Sequence, residues 1–479
     1  MIRFIYYLGS LLLLLSCSGK RKVAGQLDEL PPIYPDYIDV AIPQNIAPLN
    51  FMIKLGLGDF VGRFEGKDPD ASFDVVAKDG MFDIPMKKWK TLLSGTAGSE
   101  VKVTILKKIN EEWISYRPFS LYVMIEPIDS HLVYRLIEPG YALWNQMGIY
   151  QRDLTCFKET AVYENKMGRY NCVNCHSFCM QDPDKMLLHL RSYGGGTVFA
   201  YNDQIEKIDS RMFNDRGTLA YPYWHPDGRY VAISTNKTTQ DFHPTQRVEV
   251  FDMASDVVVY DRKEHRLIVS EAISSAESFE TFPSFSPDGR TLYYCTAPAC
   301  PMPDSIRQLK YSLCSVPFDP DLGVVGIKAD TLYNGEKERG SLSFPRVSPD
   351  GRFLMCTRSG YGTFPIWHKD ADLYMIDLTR EKEYDLDVLN SEDTESYHSW
   401  SSNGRWVVFS SRRLDGLYTR PFIAYVDTMG KPSKPFLLPQ RNTDYYAFLM
   451  KSYNLPEFVK GNVNGDSFRN ISEEKAKKE

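Results

Sequence analysis

The segment YPYWHPDGRYVAIS at residues 221–234 decides the fold, because it recurs as FPSFSPDGRTLYYC at 282–295, FPRVSPDGRFLMCT at 344–357 and YHSWSSNGRWVVFS at 397–410. Each copy reads as an aromatic residue, a short apolar strand, a Pro-Asp-Gly or Ser-Asn-Gly turn and a second alternating strand. Gly228, Gly289, Gly351 and Gly404 fall where a tight turn needs positive φ, and the Asp or Asn before each can bond its own backbone. Each copy runs on into another strand pair, as in DVVVYDRKEHRLIV from Asp256. Strand quartets recurring about every fifty to sixty residues predict the blades of a β-propeller, since one such sheet cannot bury both faces alone.

These repeats resemble the TolB-type propeller family, whose blades carry the same Pro-Asp-Gly turn after an aromatic-led first strand. The resemblance covers roughly residues 150 to 440 and implies a propeller of five or six blades. It implies little about activity, because propellers serve as enzymes, scaffolds and receptors alike.

Working outward, the first residues read as an export signal. Arg3 precedes an apolar run through Leu11 to Leu15, and then comes Leu14-Leu15-Ser16-Cys17. The run is shorter than the roughly 20 apolar residues that a spanning helix needs. It resembles the bacterial lipoprotein signal, which implies removal of residues 1–16, a lipid on Cys17 and, with Ser18 following, placement at the periplasmic face of the outer membrane. Residues 17–36 carry Lys20-Arg21-Lys22, Pro31, Pro32 and Pro35 and read as a lipidated tether. From 37 to 149, segments such as YIDVAI, NFMIKL and VKVTILKKINEEWISYRPFSLYVM alternate between turns at Lys78-Asp79-Gly80 and Asn110-Glu111-Glu112, which predicts a β-sandwich. The propeller is expected over 150–445, and 446–479 reads as a C-terminal extension whose end, Glu473 to Glu479, is a charged tail. The chain is therefore expected to be all-β. Its net charge of -6 gives no basis for a nucleic-acid surface.

Between sandwich and repeats lies GRYNCVNCHSFCMQDPDKMLLHLRS, and within it Cys172-Val173-Asn174-Cys175-His176 matches the c-type haem attachment pattern. Two thiols at this spacing can form thioethers to one porphyrin, with the adjacent His as proximal iron ligand. The expectation is one covalent haem c on Cys172 and Cys175, with His176 on the iron. Laying Tyr170-Asn171-Cys172-Val173 over Tyr221-Pro222-Tyr223-Trp224 puts the motif in the first strand of an additional blade, near the central channel. Asp182-Pro183-Asp184 then reads as the start of a short haem-loop helix through KMLLHL, inside an insert at 170–195. Nearby candidates for the sixth iron ligand are His189, Met180 and Met186, and more distant ones are His225, His243 and His398; an open sixth position is the alternative.

Other readings of the same cysteines stay open: a redox disulfide of Cys172 and Cys175, a structural zinc on Cys172, Cys175 and Cys179 with His176 or Cys156, or plain core packing. Cys295 and Cys300 could pair, while Cys314 and Cys356 read as strand core. Lipobox, haem motif and such blades together resemble envelope proteins labelled as linked to cytochrome c biogenesis. The leading expectation is an electron carrier in the cell envelope, docking envelope proteins or a redox partner and held to the membrane by its lipid. A non-redox scaffold for protein or glycan, and a peroxidase-like haem enzyme, are the alternatives. No Ser/His/Asp order, phosphate loop or zinc-hydrolase helix emerges.

Overall fold

A computed structural model of the chain describes residues 21–54, 58–138, 145–168, 170–191, 195–202, 204–209, 218–241, 248–380, 382–468 and 471. The signal, Cys17, Ser18, His243 and the charged end lie outside these residues.

Each of the four quoted repeats folds as expected. Gly228, Gly289, Gly351 and Gly404 have φ of 75°, 72°, 75° and 65°. In each turn the Asp or Asn side chain accepts from the backbone N–H two residues on, as Asp227 Oδ1 does from Arg229 at 2.7 Å and Asn403 Oδ1 from Arg405 at 3.0 Å. The strand pairs extend into successive antiparallel sheets. One holds Thr218–Trp224, Tyr230–Asp241, Glu249–Asp261 and Arg266–Ile268; the next is built on Ser278–Phe285, Thr291–Pro298 and Ser312–Asp319. Then come Ser341–Val347 with Phe353–Ser359, Asp372–Asp377 and Lys382–Asp385, and Glu395–Trp400 with Trp406–Ser411, Arg420–Tyr425 and Phe436–Leu437.

Two further sheets complete the ring among the described residues. Cys172–Phe178, Lys185–Arg191, Gly196–Tyr201 and Gln204–Ile208 form one. The other joins His131–Ile137, Gly148–Asp153 and Glu159–Glu164 to Ser452–Val459, which pairs antiparallel with His131–Ile137 as the innermost strand. The C-terminal strand thus completes a sheet begun some three hundred residues earlier and ties the two ends of the ring together. The architecture is a β-propeller, all-β as expected.

Several expectations need correction. The boundary placed at 149/150 cuts Gly148–Asp153, which belongs to the closing sheet, and the segment from 446 supplies that sheet's inner strand. The short helix through KMLLHL is instead the strand Lys185–Arg191, buried along its centre. An apolar run of this length, covered on both faces by neighbouring sheets, carries no periodicity that separates helix from strand. Asp182-Pro183-Asp184 makes the hairpin turn, Asp182 N–H donating to Cys179 O at 3.0 Å and Lys185 N–H to Asp182 O at 3.1 Å.

The N-terminal region has two sheets over one core. The larger is mixed: Val40–Pro43 runs parallel to Phe119–Met124, and Val23–Gln26, in the expected tether, parallel to Glu112–Ser115. The smaller holds Ile33–Tyr34, Phe51–Ile53 and Met81–Phe82. A helix at Met86–Thr96, absent from the sequence reading, buries Trp89, Leu92, Leu93 and Thr96, the spacing of one helical face. This core is continuous with that of the last propeller sheet. Trp406 Nε1 donates to Glu126 O at 3.0 Å, and Ser402 donates from both N–H and Oγ to Asp129.

Candidate functional site

Every innermost strand carries a two-residue bulge, and the bulges build the axis of the ring. Pairing skips between Ala220 and Tyr223, Thr281 and Ser284, Ser343 and Arg346, and Ser396 and Ser399. The first bulged residue of each, Tyr221, Phe282, Phe344 and Tyr397, has φ of 48°, 52°, 53° and 50°; Leu455 on the closing strand has 49°. Such φ values are strained for side chains of this size and persist only where packing enforces them. Here the rings meet face and edge, with centroids 4.4 Å apart for Tyr221 and Phe282, 4.1 Å for Phe282 and Phe344, and 4.7 Å for Phe344 and Tyr397. This collar plugs the channel and separates a wide cavity from a narrow chamber.

In the haem-motif strand the bulge lies between Val173 and His176, at Asn174 and Cys175. The overlay of Tyr170 on Tyr221 is therefore displaced by about four residues, because Asn174 holds the place of Tyr221 in the bulge. Tyr170 sits outside the strand and is 64% exposed.

The bulge decides where the motif residues point. Cys172 pairs with Arg191, Val173 with Leu190 and His176 with Leu188. Leu188 and Leu190 share a face of the sheet, so His176 lies on the face of Val173 and opposite Cys172. Cys172, 7% exposed, lines the wide cavity of about 800 Å³ together with Arg135, Asn174, Arg191, Tyr221 and Asn236. His176, 4% exposed, lines the narrow chamber of about 60 Å³ with His398, Arg346 and Glu457.

These residues do not fit a c-type haem. A group of that size takes pockets of about 300–1,000 Å³. The wide cavity has the volume but is not reached by His176; the chamber that His176 reaches is far too small. A c-type site places both thiols and the imidazole toward one porphyrin, whereas Cys172 and His176 face opposite sides of this sheet.

The distal candidates are scattered. His189 Nδ1 is 2.8 Å from Thr197 Oγ1, its cross-strand partner in the same sheet. Met186 is core, Met180 sits exposed in the hairpin turn, and His225 holds its own turn, with Nε2 3.0 Å from Gly289 O and Nδ1 2.8 Å from Asp227. Only His398, whose Nε2 is 2.9 Å from Met355 O, shares a chamber with His176. Burial, reinforced at His176 by Arg135, pushes His176, His189 and His398 down to about 3, so these imidazoles are neutral. Burial also pushes Glu457 up to about 8.

Among the described residues all eight cysteines are free thiols, and no three His, Cys, Asp or Glu side chains stand close enough to hold a metal. Cys295 is buried in a strand, while Cys300 in the following loop has its Sγ 3.9 Å from Met302 Sδ. Cys314 and Cys356 are strand core, as read from sequence.

The wide cavity was not legible as a site in the sequence. Its wall draws Arg135, Cys172, Arg191 and Lys237 from three sheets and Glu138, Trp367 and Tyr418 from the segments that join strands. The one available signal was the repeat itself, since inner strands of a propeller converge on its axis.

No family model and no curated protein matches the chain. Solved structures resemble it distantly. An oligogalacturonate lyase in complex with manganese shares 11% identity over 64% of this chain and 73% of its own, with a TM-score of 0.37. The oligogalacturonate lyase from Vibrio parahaemolyticus shares 12% over 60% and 85%, with a TM-score of 0.34. Prolyl oligopeptidase B from Galerina marginata shares 11% over 70% of this chain and 42% of its own, with a TM-score of 0.36. The propeller assignment rests on the sheets themselves.

Proposed function

We propose that this chain is a ligand-binding propeller of the cell envelope, anchored through a lipid on Cys17, whose ligand enters the wide axial cavity. The observation that carries the binding reading is that cavity: about 800 Å³, floored by the collar and walled by aromatic, amide and cationic side chains. A concave, largely preformed space with a few convergent polar groups is the usual form of a small-molecule site. The envelope placement rests on the sequence around Leu14-Leu15-Ser16-Cys17.

Thr218 lies exposed at the cavity wall, so Thr218→Trp narrows the space without touching the core. Equilibrium dialysis of the folded protein against a small-molecule extract, read by mass spectrometry, is expected to retain a compound on the wild type and lose it on Thr218→Trp. Equal retention by both, or none by the wild type, would sink the cavity reading. Incorporation of a fatty-acid label, lost in Cys17→Ser, tests the anchor.

A further inference from the structure

The polar groups on the cavity wall are not balanced by charge. Among the described residues, Arg135, Arg191 and Lys237 face a single wall carboxylate, Glu138, in a chain whose net charge is -6. Glu138 is occupied: its Oε2 accepts the Gln146 N–H at 3.1 Å. Arg135 is fixed by bonds to Val173 O at 3.1 Å, Asn174 Oδ1 at 2.8 Å and Asn454 Oδ1 at 2.9 Å, none of them an acid. Arg191 makes no ion pair among the described residues, and its buried Nε has no hydrogen-bond partner. Arg191 pairs across the strands with Cys172 and Arg135 bonds Val173 O, so both guanidiniums reach the cavity wall around Cys172. Asp252, a further acid, is buried, accepts from Thr238 Oγ1 at 3.1 Å and feels the Arg191 charge.

Asn236, 2% exposed, bonds the Asp252 carboxyl. Trp367 and Tyr418 supply flat apolar faces, and Arg412 stacks over the Trp367 ring at 3.6 Å, which fixes the indole in place.

We propose that the cavity binds a small carboxylic acid, its carboxylate on Arg191 beside Arg135 and its remainder, a ring or sugar with a flat face, against Trp367 and Tyr418. Arg191 offers a planar fork that matches a carboxylate in two parallel bonds, which Lys cannot reproduce. This assignment rests on the cavity being the binding site.

The test is calorimetric titration of the full chain with two matched pairs: N-benzoylglycine against its amide, and glucuronic acid against glucose. At least one acid is expected to bind about 10- to 100-fold more tightly than its neutral partner, the range for a hydrogen bond to a charged group. Preference for the benzoyl or the sugar acid identifies the source of the ring. In Arg191→Gln the acid and its neutral partner are expected to bind alike, with Arg191→Lys intermediate. Lys237→Gln, at an exposed position, gives a smaller loss and serves if Arg191→Gln fails to fold. Wild-type protein that binds acid and neutral partner equally, both excluded by Thr218→Trp, would overturn the carboxylate while leaving the cavity reading standing. An acid preference that survives in both Arg191→Gln and Lys237→Gln would also overturn it. Absence of any binding to the wild type would overturn both.

Discussion

Cys172 and His176 stand four residues apart on one strand and face opposite sides of their sheet, because a two-residue bulge at Asn174 and Cys175 lies between them. An attachment motif read as a short linear pattern is thereby split between two compartments of the propeller axis. The aromatic collar lies between those compartments.

The closing strand ties the two ends of the ring together. Tyr453 on that strand is fully buried, its ring 4.6 Å from that of Tyr134. Tyr453→Ala is expected to cost about 3–5 kcal/mol, the range for truncating a buried aromatic. Urea unfolding measures this, and a loss below about 1 kcal/mol would show that the strand does not hold the ring.

Docking of the N-terminal region on the last sheet runs through Asp129, which accepts the Ser402 N–H at 2.7 Å and its Oγ–H at 2.5 Å. Asp129→Ala leaves both donors unmet and is expected to cost about 1–3 kcal/mol. Limited proteolysis should then cut faster between residues 124 and 131; an unchanged cleavage rate would contradict the docking role.

Gly289 and Gly351 occupy the same turn of neighbouring sheets, with φ of 72° and 75°. A methyl at Gly289 would meet the His225 ring, whereas one at Gly351 meets nothing within 4 Å. Gly351→Ala should cost about 1–2 kcal/mol, the left-handed penalty alone, and Gly289→Ala more, by thermal unfolding. Equal losses would mean that His225 does not pack in this turn.

Glu457 gives the pH dependence a definite sign. Burial raises it from about 4.5 to about 8, against the opposing pull of the Phe178 N–H and Arg346. Between those values the folded chain holds a proton that the unfolded chain has released, so this group's contribution is present below about 4.5 and is lost as pH rises through about 8. Glu457→Gln removes that slope. Its stability relative to wild type should climb between pH 5 and 8 and level off above; a flat difference would contradict the burial of a neutral Glu457.

What sequence could and could not disclose follows from the range of the interactions. The Pro-Asp-Gly turns were legible because their bonds are local, two residues from Asp227 to Arg229. The pairing of Ser452–Val459 with His131–Ile137 was not, since nothing in YNLPEF names a partner so distant in the chain. KMLLHL was misread because a strand buried on both faces loses the alternation that identifies it. The motif at Cys172 was found, but its chemistry depends on a bulge, and a bulge depends on the neighbouring strand.

The most direct measurement is a haem stain on a denaturing gel of the protein, expressed with its signal in a host that matures c-type cytochromes, beside a Cys172→Ala, Cys175→Ala variant. An unstained wild-type band, next to a stained host cytochrome, is the predicted result and matches a motif folded as a blade strand. A stained band that disappears in the variant would contradict the account, and would mean that Cys172, Cys175 and His176 converge on one group after all.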